Sequence, residues 1–595
     1  MNIAGTFDIE CADWDRFAVG VTYEGPHQAK VHRSPDALID HMIERGGVWA
    51  AHAGGIYDTL MVADRLRARG IKFMADESQA RISRLVCGSL TLRDSYSLWP
   101  APLDELAGAI GREVPSLPWS CMCGRDCGGY CRIAEKAREG DPDLEDYCIA
   151  DCAVLFDALH ALGDFAAAHA IDLKGTLGST AWATAKKRLE LPDAEYPSWD
   201  VWRRIGLANR PGRMAIIRPN APGPGHHYDI VNAYPAALAR AELPVGEFYE
   251  VGARRGAAAL ANAMAGVYSV TVHVPEDLFF PPLPWRIGGR TVYPTGTISG
   301  MWCLPELVAA FERGVQVIEV HSAIVWEATA PIFEGLMAEW YAIRRNVGKK
   351  TPWGGWMSRL SKAFCGKLAE GPEKHRILVH PEKIKMCLRE KGCRNGCTGR
   401  CRRYEQIDLW GHIWSAPYWK GSPSGHVQWS AYLRAHTRIQ LLAELEKFGY
   451  EAVYANTDSI WALGAREPSP ISDELGHWER KHWWSDFTCR APNVYRCETK
   501  DGPLVRAAGC AGITDADWKR GGGVLDRGVT TFRRAAKRSV KEGETKLFTR
   551  KRRPWTLPEI PADGIYGDRK LAMYDGVTYP LDASEWRELV HGCTS

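Results

Sequence analysis

The stretch YDIVNAYPAAL, from Tyr228 to Leu238, places Asp229 at the end of an apolar run, five residues ahead of a Tyr-Pro pair. The preceding segment, RPNAPGPGHH, is crowded with Pro and Gly, which favour loops. We therefore expect a strand that begins at Tyr228 after a loop. The pattern puts a carboxylate and an aromatic ring on one short turn, which makes this turn a candidate functional site.

Length and composition indicate an ordinary globular protein with several domains. The chain has 595 residues, of which 45% are hydrophobic and 25% are charged, and this excludes a disordered or fibrous protein. No apolar run approaches the roughly 20 residues that span a membrane, and the first residues, MNIAGTFDIE, lack the features of a signal peptide. We expect a cytoplasmic protein, in the host cytoplasm if it is viral.

The net charge of +3 hides one strongly basic segment, from Arg527 to Pro554, which contains only two acidic residues. Such a segment is typical of a surface that binds a polyanion, although a solvated basic face is the commoner explanation. Charge alone leaves both interpretations open.

The eighteen cysteines include two quartets, CMCGRDCGGYC and CLREKGCRNGCTGRC, and both contain C-x3-C-x3-C. Four thiolates can close a tetrahedral zinc site. Because the spacing is not the common C-x2-C pair, an iron–sulfur cluster and reduced free thiols remain alternatives. The quartets consist of Cys121, Cys123, Cys127 and Cys131, and of Cys387, Cys393, Cys397 and Cys401.

Acidic residues near the N-terminus form a second candidate site. The sequence FDIE sets Asp8 and Glu10 on one face of a predicted strand, where they repel each other unless a cation lies between them. Asp58 follows at the start of a predicted helix, and Tyr147 precedes Asp151 by one helical turn. Four acids and a tyrosine are the components of a two-metal site that hydrolyses phosphodiesters.

The order of these motifs resembles that of the family B DNA polymerases. FDIE, HAGGIYD and YCIAD resemble the three exonuclease motifs, DIVNAYP resembles polymerase motif A, and VYANTDSIWAL resembles the motif C hairpin. The resemblance is closest to the small protein-primed phage polymerases. It extends through LRDSYSLWPAPLDELA, LGHWERKHWW and GCAGITD, so it covers most of the chain.

The resemblance implies an α/β multidomain fold, in which a ribonuclease H-like 3′–5′ exonuclease domain precedes a right-hand polymerase. The palm is then split in sequence by the fingers. The expected segments are an exonuclease domain at 1–165, a helical connection at 166–208, a first palm part with an insertion at 209–330, fingers at 331–375, a Cys-rich insertion at 376–415, a second palm part at 416–494, and a thumb with the basic C-terminal region at 495–595.

The same resemblance assigns roles to the residues of motifs A and C. Asp229 and Asp458 would hold two Mg2+ or Mn2+ ions at the polymerase site, and the four N-terminal acids would hold Mg2+ at the exonuclease site. Tyr234 would pack beneath the sugar and exclude a 2′-hydroxyl, unless it is only a core aromatic residue. Thr457 and Ser459, which flank Asp458, would contact DNA.

In the fingers, Arg344, Arg359 and Lys362 are the expected nucleotide-binding cations, because they lie where the triphosphate should be gripped. The sequence departs from the family pattern here. Ser358 stands in place of the usual phosphate-binding Lys, and Cys365 stands in place of the base-pocket Tyr. Either Lys362 or Arg359 would then reach the triphosphate.

Other motifs also depart from the family. Asn456 replaces the first Asp of motif C, and NRPGR, residues 209–213, replaces the Tyr-x-Gly-Gly element that links the two active sites. Tyr495 is retained as an expected DNA contact, but Asn493 replaces a primer-holding Lys, and Ala53 replaces an Asn that contacts single-stranded DNA. These substitutions indicate a divergent enzyme.

The predicted function is template-directed DNA synthesis with proofreading, in the replication of a phage or mobile-element genome. The expected partners are template and primer DNA, deoxynucleoside triphosphates and a terminal priming protein, and a monomer without membrane contact is expected. Two alternatives remain: a nuclease whose polymerase half only binds DNA, and a Cys-rich nucleic-acid-binding protein without catalysis. The sequence also leaves open whether a protein hydroxyl, a nucleic-acid primer or neither starts synthesis.

The second Cys quartet falls where the protein-primed polymerases carry an inserted hairpin between the fingers and motif C. A short hairpin has little core, so a metal could supply its folding energy. We expect two structural zinc ions, one for each quartet.

Overall fold

The computed structural model describes residues 3–12, 16–78, 81–114, 116–117, 119, 132–196, 198–371, 373–379, 405–407, 413–419, 424–508, 510, 513–527, 551–559, 564–572 and 576–592. Both Cys quartets and most of the basic segment, residues 528–550, lie outside these ranges. None of the helices within them is long and apolar enough to cross a membrane.

The strands are β1 (Gly5–Ala12), β2 (Arg16–Tyr23), β3 (Ala29–His32), β4 (Gly47–Ala51), β5 (Met74–Ser78), β6 (Arg81–Cys87), β7 (Leu90–Asp94), β8 (Met214–Ile216), β9 (Asn220–Ala221), β10 (Gly225–Ile230), β11 (Leu243–Gly252), β12 (Gly266–Val274), β13 (Trp285–Ile287), β14 (Arg290–Val292), β15 (Gly296–Cys303), β16 (Gln316–Ala330), β17 (Glu373–Val379), β18 (Glu405–Ile407), β19 (Ile413–Trp419), β20 (Ala452–Asn456), β21 (Ser459–Leu463), β22 (Trp478–Ala491), β23 (Val494–Thr499), β24 (Gly502–Ala507), β25 (Gly522–Arg527), β26 (Lys551–Thr556), β27 (Ile565–Tyr566), β28 (Arg569–Leu571) and β29 (Thr578–Pro580).

The helices are α1 (Pro35–Arg45), α2 (Asp58–Ala68), α3 (Leu103–Ala109), α4 (Ile133–Glu139), α5 (Pro142–Ala168), α6 (Leu177–Leu189), α7 (Trp199–Gly206), α8 (Ala233–Arg240), α9 (Ala253–Ala261), α10 (Leu304–Phe311), α11 (Glu334–Asn346), α12 (Pro352–Lys367), α13 (Val427–Phe448), α14 (Asp515–Lys519) and α15 (Ala583–Gly592).

The N-terminal strands β1–β7 form a mixed sheet with β17, β18 and β19, in the order β18-β19-β17-β5-β6-β7-β4-β1-β2-β3. The opening IAGTFDIECADWDRFAVGVTYEG predicts two strands joined by a polar turn, and the structure confirms this hairpin as β1 and β2; β1 also pairs in parallel with β4. Phe7 and Ile9 of β1 are buried in the core beneath α1 and α2. Asp8 and Glu10 alternate with these apolar residues, so they leave the opposite face of the strand, where α5 packs.

A second sheet, in the order β24-β23-β22-β10-β21-β20-β8, carries Asp229 and Asp458. Its β10 begins at Gly225, three residues earlier than predicted. Gly225 pairs with Leu463 on one side and with Trp484 on the other. A Cβ at Gly225 would lie 2.3 Å from the carbonyl oxygen of Ala462. Glycine usually indicates a loop, but here it is required because the central strand is crowded by its neighbours.

Helices α11 and α12 pack against each other beside this sheet, and α13 crosses behind it. The spacing of apolar residues at 304–315, 330–347 and 429–449 predicts helices, and the structure confirms them as α10, α11 and α13. A further four-stranded sheet, in the order β11-β16-β12-β15, is formed by strands within residues 243–330.

The C-terminal region first extends the second sheet and then departs from it. Strands β23 and β24 extend this sheet through Ala507, past the expected start of the thumb at residue 495. Residues 564–592 then return to the sheet, because the backbone N–H of Thr578 donates to Ile217 at 2.8 Å.

Candidate active sites

The first acidic site is formed by adjoining strands of the second sheet. Asp229 on β10 lies opposite Ser459, the first residue of β21, and Asp458 lies in the turn between β20 and β21, as motif C predicts. The backbone N–H of Ile230 donates to the carbonyl oxygen of Asp458 at 2.8 Å, which fixes the turn against β10. The two carboxylates therefore sit on one rigid, hydrogen-bonded platform.

The segment NRPGR supports this turn from below. Thr457 has a left-handed backbone with φ of 58° and donates its N–H to the carbonyl oxygen of Arg213 at 2.6 Å. A Cβ at Gly212 would lie 2.6 Å from the Thr457 side chain, so only glycine fits. The Ser459 hydroxyl donates a hydrogen bond to the Asn456 carbonyl oxygen at 3.3 Å.

The two carboxylates repel each other. Burial, with a further contribution from Asp458, raises the pKa of Asp229 to about 7. Burial also raises the pKa of Asp458. Lys362 and Lys481 oppose both shifts, so the site contains two acids and two nearby cations.

Sequence reasoning missed Lys481, whose Nζ lies 3.8 Å from Asp229 Oδ2. The resemblance includes the stretch LGHWERKHWW, but it gives no reason to single out this lysine. Only the register of β22 against β10 shows the proximity.

The substitutions in motif C form a contact of their own. Asn456 donates its side-chain N–H to Asn493 Oδ1 at 2.8 Å. Asn493 has φ of 60° and donates its backbone N–H to the hydroxyl of Tyr454 at 3.0 Å. The two residues that depart from the family pattern therefore tie the motif C hairpin to the turn between β22 and β23.

Tyr234 lies in the first turn of α8 and is partly buried. Burial raises its pKa, and Arg434, Asp458 and Cys365 are close enough to act on it electrostatically. The phenol thus lies between the acidic platform and the residue that replaces the base-pocket tyrosine.

The three expected fingers cations point in different directions. Lys362 acts electrostatically on both acids of the platform. Arg344 donates from Nη1 to Asn232 Oδ1 at 3.0 Å, and Ser358 donates to the same oxygen at 3.3 Å. Arg344 Nε has no hydrogen-bond partner among the residues that the structure describes.

Arg359 does not turn toward the acids. It forms a bidentate pair with Glu105 of α3, with N–O distances of 2.5 and 2.9 Å. The indole N–H groups of Trp353 and Trp356 donate to backbone carbonyls of the same N-terminal region, and Trp353 stacks on Phe165 with ring centroids 4.5 Å apart. Arg359 is thus paired with α3, while Lys362 is the fingers cation that acts electrostatically on both acids.

Tyr495 belongs to an aromatic cluster rather than to an open surface. Its ring stacks on Phe487 with centroids 5.6 Å apart and contacts Tyr454 and Trp461. Burial raises its pKa to about 12. The side chain is only partly buried, so one edge remains accessible.

The second acidic site lies between β1, α2 and α5. Burial and mutual repulsion raise the pKa of Glu10 well above its usual range, and the pKa values of Asp8 and Asp58 are also raised, in each case chiefly by burial. Burial and Asp8 raise the pKa of Asp151 to about 8, while a hydrogen bond from Tyr147 partly offsets this. The structure brings all five residues of the sequence prediction together.

Several contacts hold these side chains in place. Cys148 donates from Sγ to Asp8 Oδ2 at 3.0 Å, a contact that sequence reasoning missed. The backbone N–H of Ile9 donates to Asp58 Oδ1 at 3.0 Å. Asp151 Oδ1 is buried without a hydrogen-bond partner in the described part of the chain, as is expected of an oxygen that faces an external ligand.

The backbone before Asp58 is tightly constrained. Ala53 has φ of 54°, and a Cβ at Gly55 would lie 2.3 Å from the Ile82 carbonyl oxygen and 2.6 Å from Asp94 Oδ2. Gly55 of HAGGIYD is therefore explained by close packing against β6 and β7.

Both sites suit a hard divalent cation by chemistry, because carboxylate oxygens are the ligands that such ions prefer. Across the described ranges, no three His, Cys, Asp or Glu side chains already form a metal-binding geometry. One carboxylate oxygen of Asp8 accepts a hydrogen bond from Cys148, and one of Asp58 accepts from the backbone N–H of Ile9.

Comparison with known proteins agrees with this geometry. Residues 132–364 match the family model described as DNA polymerase type B, organellar and viral. Over this segment the chain resembles the type B DNA polymerases. It is 24% identical over 382 residues to a probable DNA polymerase of Ascobolus immersus, a match that covers 62% of this chain and 30% of that protein. The chain thus spans less than a third of the length of this curated relative.

Two solved structures share the fold of this chain. Phi29 DNA polymerase complexed with primer-template DNA and incoming nucleotides matches with a TM-score of 0.69 at 14% identity, over 93% of this chain and 100% of that chain. Its complex with single-stranded DNA matches with a TM-score of 0.68 over the same shares. The chain therefore shares the mixed α/β multidomain fold of that polymerase.

Proposed function

We propose that the protein is a DNA-dependent DNA polymerase with 3′–5′ proofreading exonuclease activity. The observation that carries this proposal is the platform of Asp229 and Asp458, where two partly buried carboxylates adjoin across paired strands and Lys362 faces them from α12. Two such acids stay ionised together only if a cation joins them, and template-directed nucleotidyl transfer requires divalent ions.

At the polymerase site, Asp229 and Asp458 would hold Mg2+ or Mn2+. When bound, these ions neutralise the triphosphate and bring the primer 3′-oxygen in line with the α-phosphorus. Lys362 supplies a further positive charge for the phosphates. Tyr234 would support the sugar and exclude a 2′-hydroxyl, because its phenol lies beside Asp458 on the turn that follows motif A.

At the exonuclease site, the same ions would be held by the N-terminal acids, where they activate water for phosphodiester hydrolysis. The residues of the chain define the geometry. Tyr147 orients Asp151 through their hydrogen bond, and Cys148 orients Asp8. The acids of this site are Asp8, Glu10, Asp58 and Asp151.

The proposal extends to partners and domains. Template and primer DNA would lie across the palm, with Thr457, Ser459 and Tyr495 beside it, and deoxynucleoside triphosphates would enter beside α12. We retain the seven segments predicted from the sequence as domain assignments, and a terminal priming protein as a partner. Two structural zinc ions at the Cys quartets are proposed from ligand number and spacing alone.

Primer extension in the presence of Mg2+ tests the proposal. Asp229→Asn and Asp458→Asn should each abolish nucleotide incorporation while degradation of single-stranded DNA continues. Asp501→Asn, an exposed aspartate on the turn between β23 and β24, is the matched control and should extend primers normally. Degradation without extension by the unmodified protein would indicate a nuclease with an inactive polymerase half, and neither activity would indicate a binding protein.

A further inference from the structure

Strand β22 contains an irregularity beside the polymerase acids. In its pairing with β10, Asp229 lies opposite Glu479, Tyr228 opposite Arg480, and His227 opposite His482. Lys481 is the extra residue that the register skips. A bulge of this kind re-aims a side chain and is common next to active sites.

The bulge directs Lys481 to two carboxylates. Its Nζ lies 2.7 Å from Glu479 Oε2 and 3.8 Å from Asp229 Oδ2. The ammonium therefore bridges a carboxylate of motif A and a carboxylate that sequence reasoning did not assign.

The electrostatic effects of the two side chains on Asp229 are opposite. Lys481 lowers the pKa of Asp229 and Glu479 raises it, while Lys481 also lowers the pKa of Asp458. Glu479 and Lys481 thus act on the same oxygen atoms that a divalent ion would bind.

A surface ion pair could account for the Glu479–Lys481 contact alone, because such pairs are common and contribute little to stability. It does not account for the bulge or for the approach to Asp229.

We propose that Lys481 is a built-in counter-cation of the polymerase site, which competes with the divalent ion for Asp229 and is drawn away by Glu479 when that ion binds. Lys481 is thus a positioning residue, and together with Glu479 it sets the concentration of divalent ion that the site requires. The inference rests on the proposed polymerase function, because it concerns the same acids.

Direct Mn2+ binding, measured by electron paramagnetic resonance on the full-length chain, tests the proposal. All proteins carry Asp8→Ala and Glu10→Ala, so that the exonuclease acids do not contribute to Mn2+ binding. The Mn2+ ions bound at the polymerase site are identified as those that Asp229→Asn removes. Lys481→Met should tighten this binding by about fivefold to tenfold, because a positive charge near the ligand oxygen is lost.

Matched variants sharpen the test. Glu479→Gln should weaken Mn2+ binding by about threefold, because Lys481 then remains on Asp229. Lys481→Arg should bind like the parent, and so should Lys500→Met, which removes an exposed lysine from the turn between β23 and β24 of the same sheet. Unchanged or weaker binding in Lys481→Met would overturn the proposal, and Lys481→Gln provides the same test if the methionine variant does not fold.

Primer extension is then measured with the same variants, but with Asp8 and Glu10 restored. This assay distinguishes the counter-cation proposal from the polymerase proposal. Template-directed extension together with unshifted Mn2+ affinity in Lys481→Met would refute the counter-cation and leave the polymerase intact. A shifted affinity without extension by any protein would refute the polymerase assignment and leave the cation competition intact.

Discussion

Glu105 is expected to control nucleotide binding from a distance, although it lies on α3, far from Asp229 and Asp458 in the sequence. Its carboxylate holds Arg359 in a bidentate pair, and Arg359 precedes Lys362 by nearly one turn of α12. Because Lys362 faces Asp229 and Asp458, a shift of α12 would move the cation that faces the triphosphate. We therefore predict that Glu105→Gln raises the KM for deoxynucleotides.

The size of the effect follows from the geometry. The Arg359 and Glu105 side chains are 32% and 26% exposed, so the pair is neither a surface pair nor a fully buried one. Breaking one bidentate pair at this depth costs about 1–2 kcal/mol. If this energy appeared entirely in nucleotide binding, KM would rise about fivefold to thirtyfold. Trp353 and Trp356 also anchor α12, so we expect about threefold to tenfold.

Single-nucleotide incorporation with varied deoxynucleotide concentration measures this effect. The exonuclease rate on single-stranded DNA should stay within about twofold of the parent, because Glu105 does not contact the acids of that site. The matched control is Glu339→Gln, which removes a pair of 2.7 Å between α11 and Arg188 without touching α12. An unchanged KM together with a lower melting temperature would show that the pair only stabilises the domain contact.

Four further outcomes are expected. Asp151→Ala should stop 3′–5′ degradation of single-stranded DNA while extension continues, as gel analysis of labelled primers would show. Tyr234→Ala should raise ribonucleotide incorporation by about tenfold or more if the phenol excludes the 2′-hydroxyl, and an unchanged preference would make it a core residue. Because the raised pKa of Asp229 lies at about 7, incorporation at limiting Mg2+ should fall as pH drops from 8 to 6, and saturating Mg2+ should move the midpoint lower. Elemental analysis should find about two zinc per chain, and Cys393→Ser with Cys397→Ser should remove about one and impair strand displacement more than single-nucleotide addition.

Local features of both sites could be predicted from the sequence, because each depends on residues that are close together in the chain. A strand with alternating acids predicts Asp8 and Glu10 on one face, and a short apolar hairpin predicts the turn that carries Asp458. The helical periods of α11 and α13 were equally clear. In each case the residues that define the element lie within a few positions of one another.

Features that depend on long-range packing could not be predicted. The pair of Arg359 with Glu105 joins residues 254 positions apart, and no periodicity in either helix indicates it. The bulge at Lys481 exists only in the register between β22 and β10. Strand β17 pairs with β5 of the exonuclease domain, which sequence order alone would not suggest. The start of β10 at Gly225 could not be predicted, because glycine indicates a loop unless the neighbouring strands are known.

Single-nucleotide incorporation on a primed template, with each of the four template bases presented in turn, tests the central claim most directly. The protein should add the complementary deoxynucleotide in the presence of Mg2+, Asp458→Asn should add none, and the exposed control Asp501→Asn should match the parent. Incorporation that ignores the template base, or that persists in purified Asp458→Asn, would contradict the assignment of the palm acids to template-directed DNA synthesis.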